Sequence, residues 1–173
     1  IITVNLHDPT ALETLGIHIE NLSAIPLLAE YFRIGGLVEN PVSISIGEDN
    51  ASMAIEADAI LKGGSSCISL RRDRLTGEIR FEEELPVKRR DVIIFDDIIY
   101  VGANMTKAVK LMKSQGAKKV YVACVHPLLV GDTQTWILES GAEEIVGTDC
   151  VPSAVSKVSV APLISKVLAQ KGA

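Results

Sequence analysis

The stretch from Asp91 to Lys113 constrains the fold more than any other part of this sequence. It opens with an unbroken apolar run, Val92 to Phe95, of the kind found in strands buried on both faces of a parallel sheet. Two carboxylates follow at Asp96 and Asp97, and then a short loop runs from Ile98 to Asn104. Beyond the loop, apolar residues recur at helical spacing: Met105, Ala108, Val109 and Met112. The order is therefore strand, acidic pair, glycine-containing loop and helix.

This order favours an anion-binding site. In an open α/β sheet, ligands bind at the carboxyl ends of the strands, where a loop leads into a helix whose first N–H groups are unpaired. A buried strand that ends in an acidic turn without any ligand is equally compatible with the pattern, because strand–helix crossovers of this kind are common.

The same segment resembles the phosphoribosyl-pyrophosphate (PRPP) motif of the type I phosphoribosyltransferase fold, in the form used by ribose-phosphate diphosphokinases. In that family an apolar strand is followed by two aspartates, two hydrophobic residues and then D/S-T-G-G-T-M. This chain has DDIIYVGANM at that place. The matching residues are Asp96, Asp97, Gly102 and Met105, and the differing ones are Tyr100, Val101, Ala103 and Asn104.

A second resemblance lies near the start of the chain, where a predicted strand from Ile1 to Leu6 carries the sequence TVNLH. The diphosphokinases have T-V-D-L-H at a strand end and use its histidine near the metal-nucleotide site. His7 is retained here, whereas the acidic residue has become Asn5, which keeps an amide and loses the charge. Without this context, a histidine at a strand end is more often a structural residue than a ligand.

A third resemblance is the basic run RRDRLTGEIR, from Arg71 to Arg80. A solvated hairpin around a Thr-Gly turn would explain the run, but it is similar to the K-x-R-D-R-x-T-G-E-V/I-R segment of archaeal diphosphokinases. In that family the lysine and the arginine two places later project over the transferring diphosphoryl group from a mobile loop. The arginine position is Arg72, and the lysine position is occupied by Leu70. The segment from Leu70 to Glu78 is therefore predicted to be mobile without ligand.

Further elements of the family occur in the same order. The sequence IHIENL, residues 17–22, resembles the I-P-V-D-N-L linker into the family's C-terminal domain, and Ser23 is the predicted N-cap of the helix that follows. The loop at residues 47–50 departs from the family's S-P-D-x-G-G, so the ligand-contacting aspartate is lost unless Glu48 or Asp49 replaces it. His126 ends another strand and is predicted to support the neighbouring loops structurally.

The resemblance implies a set of site residues. Asp96 and Asp97 would bind the ribose hydroxyls, directly or through Mg²⁺, because hard carboxylate oxygens suit a hard cation. His7 and Asp96 are the predicted metal-binding residues, and Arg72 and Arg74 the predicted catalytic ones. The 5-phosphate would be held on backbone N–H groups of Val101, Gly102, Ala103, Asn104 and Met105.

Composition narrows the class of partner. The formal net charge of −5 argues against a nucleic-acid partner, and no apolar run approaches the ~20 residues of a membrane span. The chain has three cysteines, widely spaced in apolar surroundings: Cys67, Cys124 and Cys150. With no signal peptide recognised, these features favour a reducing, cytoplasmic setting.

The predicted fold class is α/β, an open parallel sheet flanked by helices on both faces, with Ile93 to Phe95 at its centre. Because the chain already reads as a buried strand at Ile1, we expect a piece of a longer protein. Residues 1–22 would end a preceding phosphoribosyltransferase-like domain and its linker. Residues 23–155 would form a phosphoribosyltransferase-like domain, and residues 156–173 a closing strand and C-terminal helix.

The function implied is transfer of diphosphate from ATP to ribose 5-phosphate, forming PRPP, by a homo-oligomer that uses Mg²⁺. A catalytically weak or inactive family member acting as a partner subunit is the main alternative, since Leu70, Asn5, the 47–50 loop and YVGAN all differ where the family does chemistry. A nucleobase phosphoribosyltransferase would share the acidic pair and the fold but would not need His7 or the Arg72 segment.

Overall fold

A six-stranded parallel sheet forms the centre of the computed structural model, which describes residues 1–8, 16, 18–69, 71–72, 79–80 and 84–171. The strands are β1 Ile2–Val4, β2 Glu20–Leu22, β3 Val42–Ile46, β4 Ser65–Ile68, β5 Arg71–Arg72, β6 Ile79–Arg80, β7 Asp91–Ile99, β8 Lys119–Pro127, β9 Glu144–Thr148 and β10 Ser156–Val158. The helices are α1 Ile25–Ile34, α2 Ala51–Leu61, α3 Ala103–Ser114, α4 Thr133–Glu139 and α5 Ala161–Lys171, and a short 3₁₀ turn spans Glu48–Asn50.

The sheet has the strand order β10-β9-β8-β7-β3-β4, and every pair in it is parallel. Strand β7 pairs with β3 on one side and with β8 on the other, and Ile93, Ile94 and Phe95 are fully buried. The predicted central, doubly covered strand is confirmed. Each such side chain removed from water contributes roughly 1.5–3 kcal/mol, so this strand is a major part of the core.

Two hydrophobic layers cover the faces of the sheet. Val92 and Ile94 of β7 pack in the layer that contains α3 and Ile137 of α4. Ile93 and Phe95 pack in the other layer, with α1, α2 and α5. This alternation follows from the two-residue period of a strand. The predicted open sheet with helices on both faces is confirmed.

Strand β7 is longer than the apolar run predicted. It continues through Asp96 and Asp97 to Ile99, because β8 goes on pairing with it after β3 has stopped. The last β3 partner is Phe95, opposite Ser45, whereas Ile99 still has Pro127 opposite it on β8. The predicted strand end at Phe95 was therefore wrong, and the acidic pair lies in a strand that has lost one neighbour.

The prediction of Ser23 as a helix cap was also wrong. Helix α1 begins at Ile25, with Ala24 at the N-cap position. The Ser23 hydroxyl donates to Glu56 at 2.5 Å and receives a weak bond from the Ile25 N–H at 3.3 Å. The Ala24 N–H donates instead to Oδ1 of Asn5, 2.7 Å away. A side chain 19 residues earlier in the chain therefore completes the helix start.

Strands β1 and β2 pair parallel with each other in a separate two-stranded sheet, and β1 stops at Val4 rather than at the predicted Leu6. Strands β5 and β6 form an antiparallel pair, with Arg71 opposite Arg80. Strand β10 joins the main sheet at its edge beside β9.

The division of the chain at residues 22 and 155 stays a prediction. No helix in the described part of the chain is long and apolar enough to cross a membrane.

Candidate active site

The topology creates a crevice at the carboxyl ends of β3 and β7. From β3 the chain continues to β4 on one side, whereas from β7 it continues to β8 on the other. Such a switch point is where open α/β sheets bind ligands. A cavity of about 320 Å³ lies there, lined by His7, Ile46, Asn50, Asp96, Asp97, Ile98 and Asn104.

The side chains of Asp96 and Asp97 lie on opposite sides of this crevice, because neighbouring residues in a strand point to opposite faces. Asp97 is buried, and its Oδ2 lies 2.5 Å from Nδ1 of His7. Its Oδ1 accepts from the Ile98 N–H at 2.8 Å. Asp96 is half-buried, and its Oδ1 accepts from the Asp97 N–H at 3.0 Å. Both predicted substrate-binding carboxylates are therefore in one site with the predicted metal-site histidine.

Asp96 and Asp97 differ in their electrostatic surroundings. Burial, followed by the hydrogen bond and charge of Asp97, raises the pKa of Asp96 to about 8. The hydrogen bond to Asp97, and then its charge, raises the pKa of His7 above 6.5. His7 and Asp97 thus form an ion pair once the imidazole is protonated. Among the described residues, Asp96 forms no ion pair of its own, so a proton or a bound cation beside it is favoured.

The turn that contains His7 is hydrogen-bonded to the end of β2 on one side and to His126 of β8 on the other. The Asn5 N–H donates to the Leu22 carbonyl at 2.8 Å, and the Leu6 N–H donates to Oδ1 of Asn21 at 3.0 Å. On the other side, Nε2 of His126 lies 3.0 Å from the Val4 carbonyl oxygen and 3.3 Å from that of Asn5. The predicted supporting role of His126 is confirmed.

The loop after β7 is fixed by the neighbouring loop after β8. The Leu129 and Val130 N–H groups donate to the carbonyls of Ile99 and Tyr100, each at 3.0 Å. Gly102 then adopts φ 66°, and a Cβ there would lie 2.5 Å from Cγ2 of Thr133. Only glycine satisfies both conditions. Helix α3 begins at the next residue, so its first N–H groups, which lack intrahelical partners, face the end of this loop.

A second cavity, of about 330 Å³, is formed by Asp96 and the residues of this loop, from Ile98 to Met105. Ala103 and Asn104 are exposed, and Tyr100 and Val101 are 56% and 53% exposed. Met105 is only 2% exposed and packs in the core, so its side chain is structural and only its backbone can serve a ligand. Asp96 lines both this cavity and the crevice, which links the two.

A third cavity, of about 290 Å³, lies on the Asp97 side, where His7 and Asp97 form part of its wall. Sequence reasoning missed most of its polar lining: Asn21, Asn50, Ser52 and Glu56. Asp49 also lines it, as one of the two residues proposed to replace the family's loop aspartate. The sequence signal was weak, because these residues come from separate segments that meet only in the folded chain.

The two predicted catalytic arginines are not tested by the structure. The backbone of Arg72 lies in β5, but its side chain lies outside the described part of the chain. Arg74 and Leu70 lie outside the described residues entirely, as does most of the predicted mobile segment. Their roles stay predictions.

Comparison with known proteins supports the family resemblance and the fold. Residues 86–169 match the phosphoribosyl synthetase-associated domain family. The ribose-phosphate pyrophosphokinase of Methanothermobacter thermautotrophicus is 35% identical over 170 residues, which are 97% of this chain and 58% of that protein. The chain therefore spans a little over half the length of this relative.

Two solved structures share the fold. Phosphoribosylpyrophosphate synthetase from Mycobacterium smegmatis superposes with a TM-score of 0.78 at 24% identity, covering 97% of this chain and 57% of that one. Purine phosphoribosyltransferase from Pyrococcus horikoshii superposes with a TM-score of 0.52 at 19% identity, covering 73% and 77%. The fold is that of the type I phosphoribosyltransferases. Within that class the chain resembles the ribose-phosphate pyrophosphokinases along nearly its whole length, as its motifs predicted.

Proposed function

We propose that the chain is part of a ribose-phosphate diphosphokinase, which transfers the β,γ-diphosphoryl group of ATP to the C1 hydroxyl of ribose 5-phosphate and yields PRPP and AMP. The observation that carries this proposal is the contact between His7 and Asp97, 90 residues apart in sequence. It unites the TVNLH and DD segments in one crevice. A nucleobase phosphoribosyltransferase needs only the second of these segments.

The ribose 5-phosphate would span the crevice and the loop cavity. Its hydroxyls would donate hydrogen bonds to the carboxylate oxygens of Asp96 and Asp97, and its phosphate would lie on the backbone N–H groups at the start of α3. The dipole of a 12-residue helix favours an anion at that end. Backbone recognition does not depend on side-chain identity, so Val101 and Ala103 are compatible with it, and the exposed Asn104 amide can add a donor.

The carboxylates also fit Mg²⁺. Among the described residues, no group of three or more His, Cys, Asp or Glu side chains is arranged to hold a metal by itself. Mg²⁺ usually takes one or two carboxylates and completes its shell with water and substrate phosphates, so such a group is not required. Asp96, whose pKa is raised to about 8 by burial and then by the hydrogen bond and charge of Asp97, would be the ligand, because a bound cation would stabilise its charged form. Bound there with the nucleotide, Mg²⁺ would neutralise charge on the transferred group.

His7 would act from the nucleotide side. Its Nδ1 is held by Asp97, and its side chain is 68% exposed, so the far edge of the ring is open to a ligand. A protonated imidazole there would face the diphosphoryl group as a cation. Arg72 and Arg74 would supply further positive charge, since phosphoryl transfer depends on positioned cations around the equatorial oxygens.

Two observations favour the second candidate, a catalytically weak subunit. The Asn5 amide is committed to the start of α1 through the Ala24 N–H, so it does not replace the family's acidic residue in the crevice. The loop beside Asp96 exposes the large side chains of Tyr100 and Val101 where the family has small or hydroxyl-bearing residues.

Product analysis separates the candidates. The full-length protein that contains this chain is incubated with ATP, ribose 5-phosphate and Mg²⁺, and ³¹P NMR follows the products. An efficient diphosphokinase forms PRPP and AMP in equal amounts, whereas a weak subunit forms them only slowly and an inactive one forms neither. A nucleobase phosphoribosyltransferase would instead consume added PRPP when a purine or pyrimidine base is supplied. Only the first result supports the proposal.

A further inference from the structure

The small β1–β2 sheet and the main sheet meet at His126. This residue lies in β8 directly opposite Ile98 of β7, one residue beyond Asp97. Its Nε2 is within hydrogen-bond distance of the carbonyl oxygens of Val4 and Asn5. Because carbonyl oxygens only accept, Nε2 must carry the hydrogen and donate to this turn. A side chain of the main sheet therefore holds the backbone that leads to His7.

The other bonds of the turn run in a different direction. Asn5 bonds the Leu22 carbonyl through its N–H and the Ala24 N–H through its side chain, and Leu6 bonds Asn21. All three partners belong to the end of β2 and the start of α1. These bonds fix the shape of the turn, in which Asn5 adopts φ 42°. They connect the turn to β7 only indirectly, through the packing of α1 on the face of the sheet that contains Phe95, whereas His126 binds the turn directly from the strand beside β7.

From this geometry we infer that His126 is a positioning residue: its Nε2–H, shared between the carbonyls of Val4 and Asn5, sets the place of His7 against Asp97. The inference deepens the proposed function and rests on it for the effect on catalysis. The position of His7 depends on contacts within the chain, so that part of the inference does not rest on the proposed function. His7 is largely exposed, and its side chain meets the main sheet through the hydrogen bond to Asp97, so loss of the His126 bonds would let the turn shift and lengthen the His7–Asp97 contact.

The test uses the ring N–H signal of His7 in ¹H–¹⁵N NMR spectra of the protein. A ring N–H proton in a short hydrogen bond to a carboxylate exchanges slowly with water and resonates far downfield. The chain has three histidines, so His7→Gln and His18→Gln assign the signals. In His126→Ala the His7 signal is expected to broaden beyond detection. In His126→Gln it is expected to remain, because the glutamine amide nitrogen can take the place of Nε2.

Controls separate positioning from general loss of structure. His18 is exposed, and His18→Gln should leave the His7 signal unchanged. His126→Asn keeps an amide that is too short to reach the turn, and it replaces His126→Ala if that variant fails to fold. Backbone amide spectra establish that each variant is folded. A His7 signal that persists in folded His126→Ala or His126→Asn would overturn the inference, and so would its loss in His126→Gln.

Activity gives a second, separable measurement. If the protein forms PRPP, kcat/KM should fall about tenfold in His126→Ala, roughly the value of one net hydrogen bond, and His126→Gln should restore most of it. Equal rates for His126→Ala and the wild type would contradict the catalytic part. Absence of PRPP formation in the wild type would overturn the proposed function, and the NMR comparison would still decide whether His126 positions His7.

Discussion

Nδ1 of His7 lies 2.5 Å from Oδ2 of Asp97, which joins the turn after β1 to the central strand of the main sheet. The two residues differ in exposure, since the His7 side chain is 68% exposed and the Asp97 side chain 6%. Removal of His7 would leave a buried carboxylate without its cationic partner. The contact thus links the stability of the fold to the chemistry of the site.

His7→Gln should lower the free energy of unfolding by about 1 kcal/mol, a modest value because water screens the exposed imidazole. The folded-state pKa of His7 is raised, so its stabilising effect is fully present below pH 6.5 and disappears as the pH rises through the raised value. Urea unfolding at pH 6 and at pH 9 measures the difference between the two proteins. A difference that grows with pH would contradict the ion pair.

Asp96 is an acid rather than a base, but its raised pKa also makes the folded protein less stable as the pH rises. Its folded-state pKa of about 8 exceeds its ordinary value of 3.8, so the folded chain binds a proton that the unfolded chain releases. In the absence of Mg²⁺, stability should therefore fall as the pH rises from about 4 to about 8. Asp96→Asn should flatten this slope, and thermal unfolding across that range measures it. Added Mg²⁺ should stabilise the wild type at pH 8 and leave Asp96→Asn unaffected if Asp96 is a ligand.

Gly102→Ala should destabilise the protein by about 1–3 kcal/mol and displace the loop before α3. Gly131→Ala is a matched control, because Gly131 has almost the same φ, 64°, but a methyl group there would meet nothing within 4 Å. The control carries the cost of the left-handed backbone alone. The excess loss in Gly102→Ala then measures the clash with Thr133. Equal losses in both variants would show that the close approach to α4 does not matter.

Leu70→Lys would restore a cation at the position where the family has lysine, and the prediction rests on sequence alone, because Leu70 lies outside the described residues. If the chain, completed by its N-terminal half, is an active diphosphokinase, the change should raise the rate roughly tenfold or more. In an inactive subunit it should do almost nothing. Steady-state PRPP formation by the two proteins measures the effect.

Much of the fold could be predicted because local patterns of apolar residues determine its strands and helices. The run Val92 to Phe95 specified a doubly buried strand, and the spacing of Met105, Ala108 and Met112 specified the buried face of α3. The continuation of β7 to Ile99 could not be predicted, since aspartates are poor strand formers and only pairing with β8 holds them extended.

The candidate site was predicted less completely, because its contacts are non-local. The resemblance placed His7 and the acidic pair in one site, but the choice of Asp97 as the partner of His7 follows from the alternation of β7 side chains in the folded sheet. The cap of α1 shows the same limit. Ser23 has the right local sequence, and Asn5, distant in sequence, takes the bond.

The proposed activity is tested by following label from [β-³²P]ATP into PRPP in the full-length wild type, Asp97→Asn and Glu139→Gln. Glu139 is an exposed carboxylate at the end of α4, so its change to an amide controls for loss of charge alone. We expect transfer in the wild type, a similar rate in Glu139→Gln and a loss of at least about 100-fold in Asp97→Asn. Absence of transfer in the full-length wild type, or transfer undiminished in Asp97→Asn, would contradict the proposed activity.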